Sequence, residues 1–247
     1  MFKIGDLVTR NKYNNDCLFK IKDIKDGIYY LSGVDIRLYV STTESDLRKE
    51  NNRINYEDDI NINNERNEDY FYMTPTILHI DSDQDYLDRC LKLYKKNKLN
   101  AYGILIKETE ISNNIISYLN DIKPNIVVIT GHDLYNKDKN TYQNSSNYSK
   151  AIIKAREYEE SYDKLKIIAG ACQSNFEELI KSGANFASSP KRINIHALDP
   201  AILASIIALT ENTKEIDLIS TLNKTKCGPN GIGGITCHGS MFVGYPK

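Results

Sequence analysis

Tryptophan is absent from this chain of 247 residues, and so is any long apolar run. No apolar stretch approaches the roughly 20 residues that a helix needs to cross a bilayer. The first residues, MFKIGD, do not begin a signal peptide. We therefore expect no membrane span and no export by the usual route, and we place the protein in the cytoplasm.

An excess of charge of either sign is also missing. The 32 Lys and Arg residues balance 33 Asp and Glu residues, for a net charge of −1, so no strong attraction to nucleic acid or to a membrane surface is expected. The five cysteines are an odd number without C-x-x-C spacing. This favours reduced thiols over a disulfide framework.

Composition and periodicity divide the chain into three regions. Residues 1–48 contain short alternating runs separated by Gly and Asn, which predicts a small all-β domain with an SH3-like barrel, used for docking or packing. Residues 49–73 are rich in Asn, Glu, Asp and Arg and are predicted to be a polar linker. Residues 74–247 alternate strands with helices, which predicts an α/β sandwich with a mostly parallel sheet.

Two short apolar runs in the third region each end on a reactive side chain. IVVITGHD leads to His132, and KIIAGACQS leads to Cys172. Both runs are rich in β-branched residues and end at glycine, as buried parallel strands do where their carboxyl ends open into a site. A helix predicted over residues 149–164 makes the pair one strand-helix-strand unit, which places both side chains at the same edge of the sheet.

This arrangement predicts a cysteine nucleophile with a histidine base. The thiolate is the attacking species, and an imidazole can generate it and later protonate the leaving amine. The backbone N–H groups near Gly131 and Cys172 are candidates for an oxyanion hole. In the alternative interpretation, Cys172 is a small buried apolar residue and His132 a structural loop residue. His132 precedes Cys172 by 40 residues, similar to the order and spacing in caspases, although the caspase signature around the cysteine is missing.

A third apolar run, TILHI, ends in the acidic segment Asp81, Ser82, Asp83 and Asp85. Its carboxylates are candidates for binding an Arg side chain through charge-assisted hydrogen bonds. Asp199, later in the chain, is a further candidate for the same role. Two other interpretations stay open: a DxD phosphotransferase site holding a hard cation, and a structural role in which Asp83 or Ser82 caps the next helix.

Other histidines and cysteines carry weaker signals. Cys227, Cys237 and His238 have the wrong spacing for a zinc site, so no metal is predicted and their role stays open. His238 is nevertheless the main rival of His132. His79 is predicted to be buried in a strand, and His196 to lie beside a helix start. The segment CGPNGIGGI is predicted to be a glycine-rich loop, and NFASS and INIHAL are predicted to be strands.

These motifs together resemble one known family. GDLVTR near the start, GVDIRLY, ILHIDSD followed by YLDRCL, GHDLYNKDKN, IIAGACQSNFEELI and CGPNGIGGI resemble the YabG family of sporulation-specific cysteine peptidases. The resemblance covers most of the chain and implies an endopeptidase of spore-forming bacteria that cleaves coat and germination proteins after Arg, without a cofactor. It implies that the family's His and Cys correspond to His132 and Cys172. The location implied is the cytoplasm of the sporulating mother cell or the spore coat.

An Arg-specific peptidase with a polar linker is expected to cut itself. Arg48, Arg53 and Arg66 lie in or beside the linker and are the candidate sites of self-cleavage. The alternative to a peptidase is a non-catalytic, receiver-like α/β binding module, or a DxD phosphotransferase, fused to a β-barrel docking domain.

Overall fold

The computed structural model describes residues 2–50, 60, 62 and 66–246. The chain divides into two compact units, residues 1–57 and residues 58–247. Each unit has its own hydrophobic core. Among the described residues, no helix is both long enough and apolar enough to cross a membrane.

The first unit is a five-stranded antiparallel sheet with the strand order β4-β3-β2-β1-β5. Its core is built from alternate residues of the strands, among them Val8, Ile21 and Leu31. Asp26 and Gly27 both have positive φ and connect paired residues Lys25 and Ile28, as in the two-residue turns that match strand twist. The strands are β1 (Leu7–Arg10), β2 (Phe19–Lys25), β3 (Ile28–Gly33), β4 (Tyr39–Thr43) and β5 (Leu47–Lys49), with 3₁₀ turns at Asn11–Tyr13 and Glu44–Asp46.

The second unit is built around a six-stranded sheet with helices on both faces. The strand order is β14-β13-β12-β9-β7-β8, and every pairing is parallel except that of β14 with β13. The predicted α/β class and mostly parallel sheet are therefore confirmed. The strands are β6 (Phe71–Met73), β7 (Thr76–Asp81), β8 (Asn100–Leu105), β9 (Ile126–Ile129), β10 (Tyr135–Asn136), β11 (Thr141–Tyr142), β12 (Lys166–Ala169), β13 (Phe186–Ser188), β14 (Ile232–Gly234) and β15 (Phe242–Gly244).

Two apolar layers enclose the six-stranded sheet. Alternate strand residues such as Val128 and Ile168 pack against one set of helices, and Val127 and Ile167 pack on the other face. Burial on both faces explains why β9 and β12 consist almost entirely of apolar residues. The helices are α1 (Gln84–Lys96), α2 (Glu108–Ile122), α3 (Ser145–Tyr158), α4 (Phe176–Lys181), α5 (Asp199–Leu209), α6 (Leu218–Asn223) and the single turn α7 (Gly228–Gly231).

The helix predicted over residues 149–164 lies earlier in the chain than expected. It begins at Ser145 and ends at Tyr158. Arg156 explains the end, because its guanidinium donates hydrogen bonds to the carbonyl groups of Glu159, Ser161 and Leu165. These bonds fold the following residues back across the last turn, so the charged continuation of the pattern does not extend the helix.

Two predictions near the edge strand β14 are wrong, one of a strand and one of a loop. INIHAL is not a strand, because β14 occupies the position beside β13. CGPNGIGGI is not a plain loop, since it contains α7 and β14. Gly234 fits there because a Cβ would lie 2.3 Å from the Phe186 ring and 2.5 Å from the Asn185 carbonyl oxygen.

The end of the predicted linker also belongs to the second unit. Residues 71–73 form β6, which pairs antiparallel with β15 near the end of the chain. Main-chain pairing of this kind does not depend on side-chain periodicity, and a three-residue strand is too short to show an alternating pattern.

Candidate active site

His132 and Cys172 lie at the carboxyl ends of neighbouring strands. Ile129 of β9 is in register with Ala169 of β12, and each reactive residue comes three positions after its registered strand residue. The N–H of Gly170 extends the pairing by donating to the Ile129 carbonyl oxygen at 3.0 Å. The structure thus brings the two predicted residues to one edge of the sheet.

Three side chains hold the main chain of His132. Its N–H donates to Glu108 Oε1 at 2.8 Å, and its carbonyl oxygen accepts bonds from Asn144 Nδ2 and the Tyr148 hydroxyl, both at 2.9 Å. Glu108 belongs to α2, while Tyr148 belongs to α3. The main-chain N–H and carbonyl oxygen of His132 are therefore both hydrogen-bonded to side chains that the sequence patterns did not reveal.

The absence of a side chain at Gly131 leaves room for the groups that hold the main chain of His132. A Cβ at this position would lie 2.7 Å from Glu108 Oε1, 2.7 Å from Ser82 Oγ and 2.9 Å from the Tyr148 hydroxyl oxygen. Ser82 also donates a hydrogen bond to Glu108. The glycine in the GHD motif is thus required by the close approach of polar groups around His132.

The imidazole of His132 faces an acid. Its Nε2 atom lies 3.5 Å from Asp83 Oδ2, with side-chain exposures of 19% for the histidine and 7% for the aspartate. Asp83 caps α1 by accepting bonds from the N–H groups of Asp85 and Tyr86. The predicted capping role of Asp83 is confirmed, and the cap also holds the carboxylate beside His132.

Asp81, the last residue of β7 and two residues before Asp83, is fully buried. Its carboxylate accepts bonds from the Thr130 hydroxyl at 2.8 Å and from the Asp83 N–H at 3.0 Å. His79, predicted to be buried, is fully buried and contacts the Tyr94 hydroxyl and Thr130. These hydrogen bonds join buried polar groups at the end of β7 to one another and to neighbouring residues of the protein.

Cys172 is fully buried beneath the chain that follows β13. Its Sγ accepts a bond from the Ile195 N–H at 3.2 Å and donates to the Ile195 carbonyl oxygen at 3.8 Å. The next residue, Gln173, has a φ of +58°. This sparsely populated conformation is supported by bonds from the Gln173 N–H to Ser189 Oγ and to the Ile193 carbonyl oxygen.

The buried Asp199 and the partly buried Cys227 form a separate cluster beside His196. Asp199 accepts bonds from the N–H groups of Lys226 and Cys227, and Cys227 Sγ accepts one from the His196 N–H at 3.2 Å. Burial raises the pKa of Asp199 and raises that of Cys227 to about 11. As predicted, His196 lies beside a helix start, since α5 begins at Asp199. The Asp199 carboxylate anchors the main chain that leads into α7.

Cys237 and His238 lie in different surroundings. His238 Nδ1 is 3.3 Å from Asp163 Oδ2, and burial raises the pKa of Cys237 to about 11. His238 and Asp163 line a cavity of about 730 Å³ together with Asn125 and Lys166, which lie at the amino ends of β9 and β12. This cavity is at the end of the sheet opposite His132 and Cys172.

Of the three candidate self-cleavage residues, the structure describes Arg48 and Arg66, and both are exposed. Arg48 lies exposed in β5, 3.8 Å from Glu50. The exposed Arg66 has its guanidinium carbon 5.1 Å from the centre of the Tyr72 ring. Arg53 lies outside the described residues.

Comparison with known proteins agrees with the resemblance inferred from the motifs. The family described as YabG peptidase U57 matches residues 3–62 and 48–246. The chain is also similar to the sporulation-specific protease YabG of Bacillus subtilis (strain 168), with 37% identity over 99% of this chain and 98% of the relative. This match favours a peptidase over the two alternative interpretations, a binding module and a DxD phosphotransferase. The chain belongs to the YabG peptidase family.

Proposed function

We propose that this peptidase is a cysteine endopeptidase with Cys172 as nucleophile and His132 as base. The observation that carries the proposal is the parallel pairing of β9 with β12. It places His132 and Cys172 at the same end of the sheet, each three residues after the registered pair Ile129 and Ala169. The fixed main chain of His132 supports it, because a general base must be held within hydrogen-bond reach of its proton.

The reaction follows from these groups. His132 removes the thiol proton, and the thiolate of Cys172 adds to the scissile carbonyl carbon. The peptide C–N bond then breaks, the amine leaves with the proton from His132, and water hydrolyses the thioester. The N–H groups of Gly131 and Cys172 are assigned to the oxyanion. Since Ile195 covers the sulfur, attack requires this segment to move.

The contact of Asp83 with Nε2 assigns proton transfer to the other ring nitrogen, Nδ1. A carboxylate on one nitrogen fixes the ring orientation and stabilises the imidazolium that forms. Asp83 is itself fixed by the α1 N-terminus, so it is suited to this orienting role.

We assign Arg preference to a carboxylate near the sheet edge, because a buried guanidinium without an acidic partner is costly. Asp83 is favoured among the three candidates. All three carboxylates accept internal bonds, but Asp83 retains slight exposure, whereas Asp81 and Asp199 are fully buried. Asp83→Asn should reduce cleavage after Arg relative to cleavage after Lys, while Asp81→Asn should leave the ratio unchanged; an equal ratio in all three proteins moves the Arg pocket elsewhere.

The wider role proposed is processing of spore coat and germination proteins in the mother-cell cytoplasm or at the coat. The sporulation-specific relative supports this role. The α/β unit is proposed to be a caspase-like sandwich. The order β4-β3-β2-β1-β5 of the first unit supports an SH3-like barrel that docks protein substrates.

Self-cleavage after Arg48, Arg53 or Arg66 is part of the same proposal. Mass spectrometry of the stored active protein should find fragments that end at one of these residues. The same fragments in Cys172→Ala protein would identify a contaminating protease instead.

The test of the nucleophile compares two cysteines. Cys172→Ala should abolish cleavage of a short Arg-containing peptide, while Cys17→Ala, in the first unit, should retain it. Circular dichroism should show both variants folded. Cleavage by the folded Cys172→Ala protein at the wild-type rate would refute the assignment.

A further inference from the structure

A buried carboxylate follows His132 directly in the chain. Asp133 Oδ1 accepts bonds from the N–H groups of Leu134 and Asn144 at 2.9 and 2.7 Å. Its Oδ2 accepts bonds from the hydroxyl groups of Ser145 and Ser174 at 2.5 and 3.0 Å. Burial raises the pKa of Asp133, and these four hydrogen bonds oppose that rise. The carboxylate is thus held by four donors without a cationic partner among them.

Ser174 connects this carboxylate to the turn that carries Cys172. Its hydroxyl group is fully buried and accepts a bond from the Ala171 N–H at 2.9 Å while donating to Asp133 Oδ2. A hydroxyl can accept and donate at once, which alanine cannot. The path Asp133, Ser174, Ala171 therefore joins the neighbour of His132 to the neighbour of Cys172.

A second path runs parallel to the first. The Ser145 hydroxyl, which donates to Asp133, also accepts a bond from the Asn175 N–H at 2.8 Å. Ser145 begins α3, and Asn175 precedes α4. Two serines thus tie the same carboxylate to both ends of the short segment around Cys172.

These bonds lie where the sheet register ends. β9 and β12 are paired through Ile129 and Ala169, while the reactive residues are three positions farther on. The relative placement of their side chains consequently depends on the loops, and catalysis is sensitive to displacements of about 1 Å. Asp133 and Ser174 supply a direct connection between the two loops.

We propose that Asp133 and Ser174 are positioning residues that keep the turn of Cys172 aligned with His132. The proposal rests on the assignment of Cys172 and His132 as nucleophile and base. Neither residue is assigned contact with substrate. Removing the Ser174 hydroxyl is therefore expected to slow the chemical step while leaving substrate affinity nearly unchanged.

The test uses Ser174→Ala with Ser205→Ala as the matched control. Ser205 is also fully buried, but its hydroxyl donates within α5 to the Ala201 carbonyl oxygen. Kinetics with an Arg peptide, thermal unfolding and the pH dependence of Cys172 alkylation by iodoacetamide are measured for both. We expect Ser174→Ala to lower kcat by about tenfold to a hundredfold with KM within threefold, and to move the alkylation profile to higher pH.

Ser174→Thr keeps a hydroxyl and should restore kcat to within threefold of wild type. Asp133→Asn, which preserves shape but replaces an acceptor oxygen with a donor NH₂ group, should lower kcat as Ser174→Ala does. An equal fall in kcat and in thermal midpoint for the Ser174→Ala and Ser205→Ala proteins, with an unmoved alkylation profile, would overturn the positioning role. If Ser174→Ala does not fold, wild-type kcat in Asp133→Asn overturns it.

The two assignments fail in different ways. Full activity in Ser174→Ala with no activity in Cys172→Ala removes the positioning role and leaves the nucleophile in place. Activity in folded Cys172→Ala removes the nucleophile, and the positioning role falls with it.

Discussion

The two ends of the six-stranded sheet carry similar residue types in very different surroundings. The carboxyl end holds His132, Asp83 and Cys172, and the amino end of the same unit holds His238 and Asp163, with Cys237 preceding the histidine. His132 and Asp83 are 19% and 7% exposed, whereas His238 and Asp163 are 48% and 55% exposed. Hydrogen bonds with Glu108, Asn144 and Tyr148 hold the main chain of His132. The main-chain N–H and the ring of His238 both contact Asp163, near solvent. Residue type alone therefore does not distinguish His132, the proposed base, from its rival His238.

The largest expected contrast is between the two histidines. His132→Ala should lower kcat/KM for an Arg peptide by about 10²- to 10⁴-fold, because general acid and base catalysis contributes that much. His238→Ala should stay within twofold. Steady-state kinetics on folded proteins measures both, and a larger loss in His238→Ala would move the site to the other end of the sheet.

The next contrast concerns the space around His132. Gly131→Ala would push a methyl group against three oxygen atoms, so we expect the loss of the Glu108 bond, an activity loss above tenfold and destabilisation of about 1–3 kcal/mol. Gly228→Ala controls for a methyl group without a clash: a Cβ there meets nothing within 4 Å. Its φ of +60° makes alanine strained, so some stability is lost, but activity should stay near wild type. Urea unfolding and peptide cleavage are the measurements. Wild-type activity in Gly131→Ala would show that the groups that hold the main chain of His132 tolerate displacement.

A smaller effect is expected from the two acids. Asp83→Asn should lower kcat by about tenfold, because an amide stabilises the imidazolium less than a carboxylate does. Asp163→Asn should leave kcat unchanged. Steady-state kinetics on the folded proteins measures both, and wild-type kcat in Asp83→Asn would separate Asp83 from His132 in function.

The smallest expected effect is on the stability of folding, and it concerns Asp163 at the amino end of the six-stranded sheet. The backbone N–H of His238, followed by its side chain, lowers the pKa of Asp163. A lowered folded-state pKa gives stability that is present above the unfolded pKa and is lost as pH falls through the folded value. Because the pair is half exposed, Asp163→Asn should cost less than about 1 kcal/mol at pH 7, and this difference should be smaller at pH 3. Unfolding at both pH values checks the sign; an equal difference at both would contradict it.

The contrast between the two sheet ends also marks what sequence patterns could reveal. The runs before His132 and Cys172 are visible because buried parallel strands favour β-branched residues, and the cap by Asp83 is visible because the acid stands directly before a helical pattern. Glu108 lies 24 residues before His132, and Ser174 lies 41 residues after Asp133. No local period connects such pairs.

The edge strand was missed for a related reason. β14 pairs with β13 across some 45 residues of chain. Its Gly234 suits a close approach to Phe186 that only the folded sheet creates. The burial of Cys172 is equally non-local, since it depends on the bonds of Ile195. Strand positions were therefore predictable at the apolar runs, while the contacts that cover and align the site were not.

The cover over Cys172 has a chemical consequence beyond access of substrate. Oxidation of cysteine to sulfenic, sulfinic and sulfonic acids begins when a thiolate is reached by an oxidant. The sulfur beneath Ile195 has no solvent-exposed surface, so peroxide meets the same barrier as a peptide does. Under the proposed mechanism, the segment that must move before Cys172 attacks thereby also preserves the reduced sulfur until the site opens.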